Sequence, residues 1–190
     1  MSNASAYETK LRAGMTLKGN SHNVTIPEYN HEAVKGLNEE FQEQYGSHDS
    51  DLITAKRVVD FVSEKMDYQN PAEMYDTETG EHLSNDVPLD HAIRHEVGRC
   101  KEQAAIAQML MQMEGVESRY VKAEWDNNNE DVDRHVDRHA FLKTQTEDGV
   151  YHADPTLGQF QPYEEFVEPK AHLNFEEIEQ ELEIEDSQIS

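Results

Sequence analysis

Residues 98–121 read GRCKEQAAIAQMLMQMEGVESRYV, and the fold is decided here. From Cys100 to Glu114 the run has no glycine or proline and is rich in strong helix formers. It stops at Gly115, the residue type that most readily ends a helix. Ala104, Ala107 and Met111 share one face, and Ile106, Leu110 and Met113 share another. The helix is therefore expected to be buried on more than one side, with Met109, Met111 and Met113 as core filling. Past Gly115 the pattern turns strand-like, over 118–125, 139–146 and 150–153, with Asp148-Gly149 as a hairpin signal between the last two. Upstream, Val34, Leu37, Phe41 and Tyr45 recur at helical spacing over 31–45. Leu52, Ala55, Val58, Val59, Val62 and Met66 do the same over 52–66, with Ser50 or Asp51 as cap. Helices, one buried helix and then antiparallel strands predict an α+β domain.

The flanks are polar. Residues 1–50 form an N-terminal polar segment with one helix, preceded by a strand candidate at 23–26. Residues 51–163 form the main domain, and 164–190 an acidic tail. Within the tail, 164–186 carries ten acidic residues and one lysine, and Phe175, Ile178 and Leu182 have the spacing of a short docked helix. Residues 67–90, with Asn70-Pro71, Thr79-Gly80 and Val87-Pro88, read as a long irregular connection. Residues 126–133 read as a polar insertion in solvent.

The charge narrows the partners. There are 40 Asp+Glu against 16 Lys+Arg, a net charge of −24, which repels nucleic acid and anionic membrane surfaces. This acidity also suits a high-salt cytoplasm, where salt screens self-repulsion. One cysteine excludes an internal disulfide and a Cys-rich zinc site. With no apolar run near the roughly 18 residues of a membrane span and no secretory signal at the N-terminus, the expectation is a soluble cytoplasmic chain. His91/His95 and His135/His139 have i, i+4 spacing, but the stretch before His139 reads as loop entering strand. Residues 126–130 lack the glycine and terminal glutamate of a calcium loop. No metal and no cofactor are expected; solvated charge is the default.

The single thiol, Cys100, opens the most buried helix, where unpaired N–H groups and the positive dipole end favour a thiolate. A thiolate needs a base, and the base an orienting acceptor. His139 opens one apolar strand and Asp154 closes the next; antiparallel pairing would set them side by side at one end of the ladder. Cys100, His139 and Asp154 are the candidate nucleophile, base and orienter. Arg99, Lys101, Arg119 and Arg138 would leave this cleft less negative than the chain as a whole. Arg119 is expected to anchor a carboxylate. The Cys100 backbone N–H is one oxyanion donor; Gln103 is expected to face the helix flank, and neither Tyr68 nor Trp125 is singled out as the second.

In these segments the chain resembles the transglutaminase-like superfamily of papain-type thiol enzymes. The likeness runs through Gly98-Arg99-Cys100, Gly115-Val116-Glu117-Ser118-Arg119-Tyr120-Val121, Arg138-His139-Ala140-Phe141 and Asp154-Pro155-Thr156. Phe141 stands where Trp is more usual. The resemblance implies a papain-like core with Cys100, His139 and Asp154 as the triad. It implies attack on peptide or Gln carboxamide bonds of a protein or peptide substrate through a thioester acyl-enzyme. Hydrolysis by a peptidase or amidase is expected ahead of crosslinking. The alternative is a silent scaffold that grips a basic partner with its cleft or acidic tail; a filled triad favours the enzyme.

Overall fold

The computed structural model describes residues 4–11, 16–17, 24–25, 32–46, 50–68, 88–126, 136–167 and 175–177. The buried helix is α4 (Cys100–Met113). Every residue from Lys101 to Met111 is buried, with Met109 and Met111 in the core and Met113 packed at its margin. Its end is a left-handed cap: Gly115 has φ 82°, its N–H donates to the Gln112 carbonyl, and the Val116 N–H donates to that of Met111.

Such a helix carries polar side chains that need partners inside. Gln108 donates to the Ser118 carbonyl (2.7 Å) and accepts from the Leu11 N–H (3.4 Å), while Gln112 donates to the Leu11 carbonyl (3.0 Å). The two glutamines thus fasten the segment leaving β1 (Ala4–Thr9) to the helix. Leu11 lies in the same core as Val34, Leu37 and Phe41 of α1 (Glu32–Tyr45). That core also holds Val58, Val59 and Val62 of α2 (Asp51–Lys65), so residues on both sides of position 50 pack together. The Ser50 hydroxyl accepts from the Ile53 N–H and caps α2 as expected. β2 (Thr16–Leu17) pairs antiparallel with β3 (Val24–Thr25), and β3 falls inside the stretch expected as a strand.

After α2 the chain makes β4 (Asp67–Tyr68), which pairs in parallel with β5 (Val97–Gly98) just ahead of α4. Most of the expected irregular connection, 69–87, lies outside the described residues, but its end is ordered as α3 (Leu89–His95). Leu89, Ala92 and Ile93 bury one side of that short helix.

The sheet is built on β6 (Glu117–Asp126), β7 (Val136–Thr146) and β8 (Gly149–Asp154). With β1, β9 (Gln159–Pro162) and β10 (Phe175–Glu177) it forms six strands in the order β10-β1-β6-β7-β8-β9, all antiparallel except β10 on β1. Strand β7 begins at Val136, three residues before the expected start, because β6 runs on to pair Asp126 with Val136. Residues 127–135, which include the rest of the polar insertion, fall outside the described residues.

The tail corrects an expectation. Phe175–Glu177 is a strand and not the start of a helix, since the outer edge of β1 offers a row of backbone partners. Ile178 and Leu182 lie outside the described residues.

Alternation splits the sheet residues between two clusters. Tyr120, Ala140, Leu142 and Ala153 pack with α2 and α4. Val121, Ala123 and Phe141 pack on the other side with Phe166 of α5 (Tyr163–Val167).

Candidate active site

Gly98 is small because of space, and turning into the helix does not explain it. Its φ is not among the positive values, but a Cβ there would meet the Glu102 Cβ at 3.2 Å and the Met66 Cε at 3.4 Å. This close approach lets β5 run directly into the helix that starts with Cys100. The first turn is braced by a buried ion network. Glu102 accepts from the Arg99 backbone N–H (3.0 Å), from Nε (3.1 Å) and from Nη2 (2.9 Å). The Lys101 ammonium lies 3.5 Å from the same carboxylate. Gln103, expected on a flank, is buried and donates to the carbonyls of Gly98 (3.1 Å) and Met66 (3.4 Å). Its amide N–H groups therefore tie the helix start to the end of α2.

The hairpin that brings base to carboxylate turns one residue earlier than its sequence signal. Thr146 pairs with Gly149, so Glu147-Asp148 are the loop and Gly149, at φ 136°, opens β8. Leu142 stands opposite Ala153, which makes His139 and Asp154 diagonal neighbours rather than direct partners. The imidazole spans that diagonal: Nε2 of His139 lies 2.5 Å from Oδ2 of Asp154. Asp154 is itself buried, and its Oδ1 accepts from the N–H groups of Thr156 (3.0 Å) and Leu157 (3.2 Å). The same carboxylate therefore makes the turn and holds the ring.

His139 also lies close enough to Cys100, which is half-buried, for the thiol to bear on its proton. With Nε2 on the carboxylate, Nδ1 is the nitrogen left for the thiol. Burial acts to lower the imidazole pKa, but hydrogen bonds and charge from Asp154 and Cys100 outweigh it, and it is pushed up from 6.5 to about 10. The ring is thus an imidazolium at neutral pH. All three candidate residues meet.

The other candidates sort clearly. Tyr68 pairs across to Gly98 and is 60% exposed, so its phenol stands at the open side of the helix start. Its pKa is raised first by burial and then by the charge of Cys100, while Arg99 opposes the shift. Arg119 lies exposed opposite Lys143, four residues along β6 from the position facing His139. That is about 13 Å at strand spacing, so it does not belong to the site. The side chains of Trp125 and Arg138, and His135 altogether, fall outside the described residues. His91 and His95 stack on one side of α3, with ring centroids 4.2 Å apart. Among the described residues no three His, Cys, Asp or Glu side chains are grouped to hold a metal ion. Nor is any helix there long and apolar enough to cross a membrane.

Sequence reasoning passed over Glu102 and His152. An i, i+3 acid after Arg99 was a visible signal for the first; nothing in the pattern marks the second as buried.

A thiol at a helix start, an imidazole on a strand and a carboxylate on the next define a papain-type thiol constellation. The profile of the transglutaminase-like superfamily matches residues 39–155, more than half of the chain, and the protein belongs to that superfamily, whose members are usually cysteine-dependent enzymes. Among solved structures it is similar to a Cytophaga hutchinsonii protein named "Putative Cysteine Protease", at 14% identity and a TM-score of 0.43. That likeness covers 65% of this chain, which spans only 37% of the other. No curated protein matches.

Proposed function

We propose that the protein is a cysteine hydrolase or acyltransferase that opens peptide or Gln carboxamide bonds through a thioester on Cys100. The observation that carries this reading is the His139–Asp154 bond at 2.5 Å, with the same imidazole beside Cys100. The Cys100 thiolate attacks the carbonyl carbon, and the developing oxyanion is met by the Cys100 backbone N–H and the Tyr68 phenol. His139 gives its proton to the leaving nitrogen as the C–N bond breaks. Water or an amine then attacks the thioester, His139 takes the attacking group's proton, and the C–S bond breaks to restore the thiolate. Asp154 keeps the ring aligned throughout and stabilises it whenever it carries the proton. The substrate is a protein or peptide, with basic character favoured by the chain's charge of −24.

The test is mass spectrometry of a peptide library incubated with and without a primary amine. Fragments indicate proteolysis, a gain of about one dalton deamidation, and addition of the amine transamidation. Wild-type protein that leaves the library as Cys100→Ala does would overturn the reading in favour of a silent scaffold. For Tyr68→Phe, loss of one oxyanion donor is expected to lower kcat by about a hundredfold with KM little changed. Unchanged kcat would remove Tyr68 from this role.

A further inference from the structure

The catalytic carboxylate has a second histidine beside it. His152 is 0% exposed and sits two residues before Asp154 on β8, so the two share a face of the strand. Its Nε2 lies 3.9 Å from Asp154 Oδ2, the oxygen already held by His139. The ring is fixed by its neighbours: it lies flat on Phe166, with centroids 3.6 Å apart and planes 7° apart, and tilted against Phe141 at 4.7 Å. Phenylalanine would fill this aromatic stack equally well. Burying an imidazole instead costs free energy unless its polar edge is used, and that edge is turned to the carboxylate.

We propose that His152 is a positioning residue of the thiol site: at 3.9 Å it makes no hydrogen bond to Asp154, but its imidazole dipole acts on the buried carboxylate and moderates how tightly that holds the proton on His139. The proposal rests on the Cys100–His139–Asp154 reading. When His139 passes a proton to the leaving nitrogen, the buried carboxylate loses its counter-charge. The positive edge of the neighbouring imidazole stabilises that state across 3.9 Å of low-dielectric interior. Among the described residues, these titratable and polar groups face His152. Asp154 lies on its own strand, His139 and Lys143 on β7, the neutral Gln161 opposite it on β9, and Tyr163, Glu164 and Glu165 on α5. Lys143 is held over the Tyr163 ring at 4.8 Å, and the two glutamates are exposed. Helices α2 and α4 pack from the Ala153 side.

The test is the sign of a shift. In His152→Phe the stack is kept and the imidazole dipole beside the carboxylate is lost, so Asp154 becomes the stronger base. The His139 titration, followed by NMR, is expected to move up by about half a pH unit or more. His139 becomes a poorer acid, so kcat falls about tenfold with KM unchanged. A purely structural role would loosen the Asp154–His139 bond and move the titration down. Phe166→Leu, which frees the ring from its bed, should shift it up as well, and His152→Gln, which keeps an N–H dipole, should restore much of kcat. An unchanged or lowered titration in His152→Phe, or in Phe166→Leu should the first not fold, overturns the proposal. If instead wild-type His139 titrates near 6.5 and Cys100 alkylates no faster than a free thiol, the triad reading itself fails.

Discussion

His139→Ala is expected to lower kcat/KM by about a thousandfold or more, because the thiolate's counter-charge, the acid and the link to Asp154 go together. The pH profile should carry the same signature. The proton that His139 delivers is held up to about pH 10, so the alkaline limb of kcat/KM belongs there, and the acid limb is set by the Cys100–His139 pair titrating as a unit. In Asp154→Asn the charge that supports the imidazolium is gone, and the alkaline limb should fall from about 10 toward 6.5. Stability follows with a defined sign. Because the folded imidazole binds its proton more tightly than the unfolded one, its contribution is complete below about pH 6.5 and is lost as pH rises through about 10. The Tm advantage of wild type over His139→Ala should shrink across that window. An advantage that grows with pH, or a limb that stays at 10 in Asp154→Asn, contradicts the geometry.

Glu102→Gln is expected to destabilise the fold by about 3–5 kcal/mol, the loss typical of breaking a buried ion pair. Glu102 is fully buried and neutralises both Arg99 and Lys101 at the first turn of α4. Glutamine fills the same volume but removes the negative charge that faces both cations in a low-dielectric setting. For a chain of this size the loss corresponds to a fall in Tm of roughly 6–20 °C, read by thermal unfolding at constant pH. Arg99→Met combined with Glu102→Leu should recover much of it, since an apolar pair of similar size avoids the desolvation of charge. The ion pair between Lys65 and Glu40 offers a contrast: at 2.6 Å it is shorter, but Glu40 is exposed, and Glu40→Gln should change stability by under about 1 kcal/mol. If Glu102→Gln unfolds at the wild-type temperature, the network is not what holds the nucleophile's turn.

The helices and central strands were legible because each has a periodic apolar face that one stretch of chain displays alone. Val34, Leu37 and Phe41 mark α1, and the run from Cys100 to Gly115 marks α4. The triad was legible for a related reason, since a thiol at a helix start and two polar residues at strand ends stand out against apolar surroundings. Less legible were the elements whose partners are distant in sequence. Phe175 had helical spacing with Ile178 and Leu182, but the free edge of β1, some 170 residues earlier, takes Phe175–Glu177 as a strand. The hairpin turn moved by one residue because the β6–β7–β8 ladder as a whole sets the register.

By itself, then, the sequence determined an α+β chain with a buried thiol-bearing helix, and it singled out Cys100, His139 and Asp154. These follow from local periodicity and from residue type. Only the tertiary structure decided that His139 meets Asp154 diagonally, that Glu102 braces the nucleophile's turn and that His152 backs the carboxylate. Each of those depends on which side chains share a buried space, and burial is set by the packing of distant segments against one another. The charge of −24 describes the chain as a whole. At the nucleophile, Arg99 and Lys101 face the Glu102 carboxylate; the sequence sets their spacing, and packing buries them.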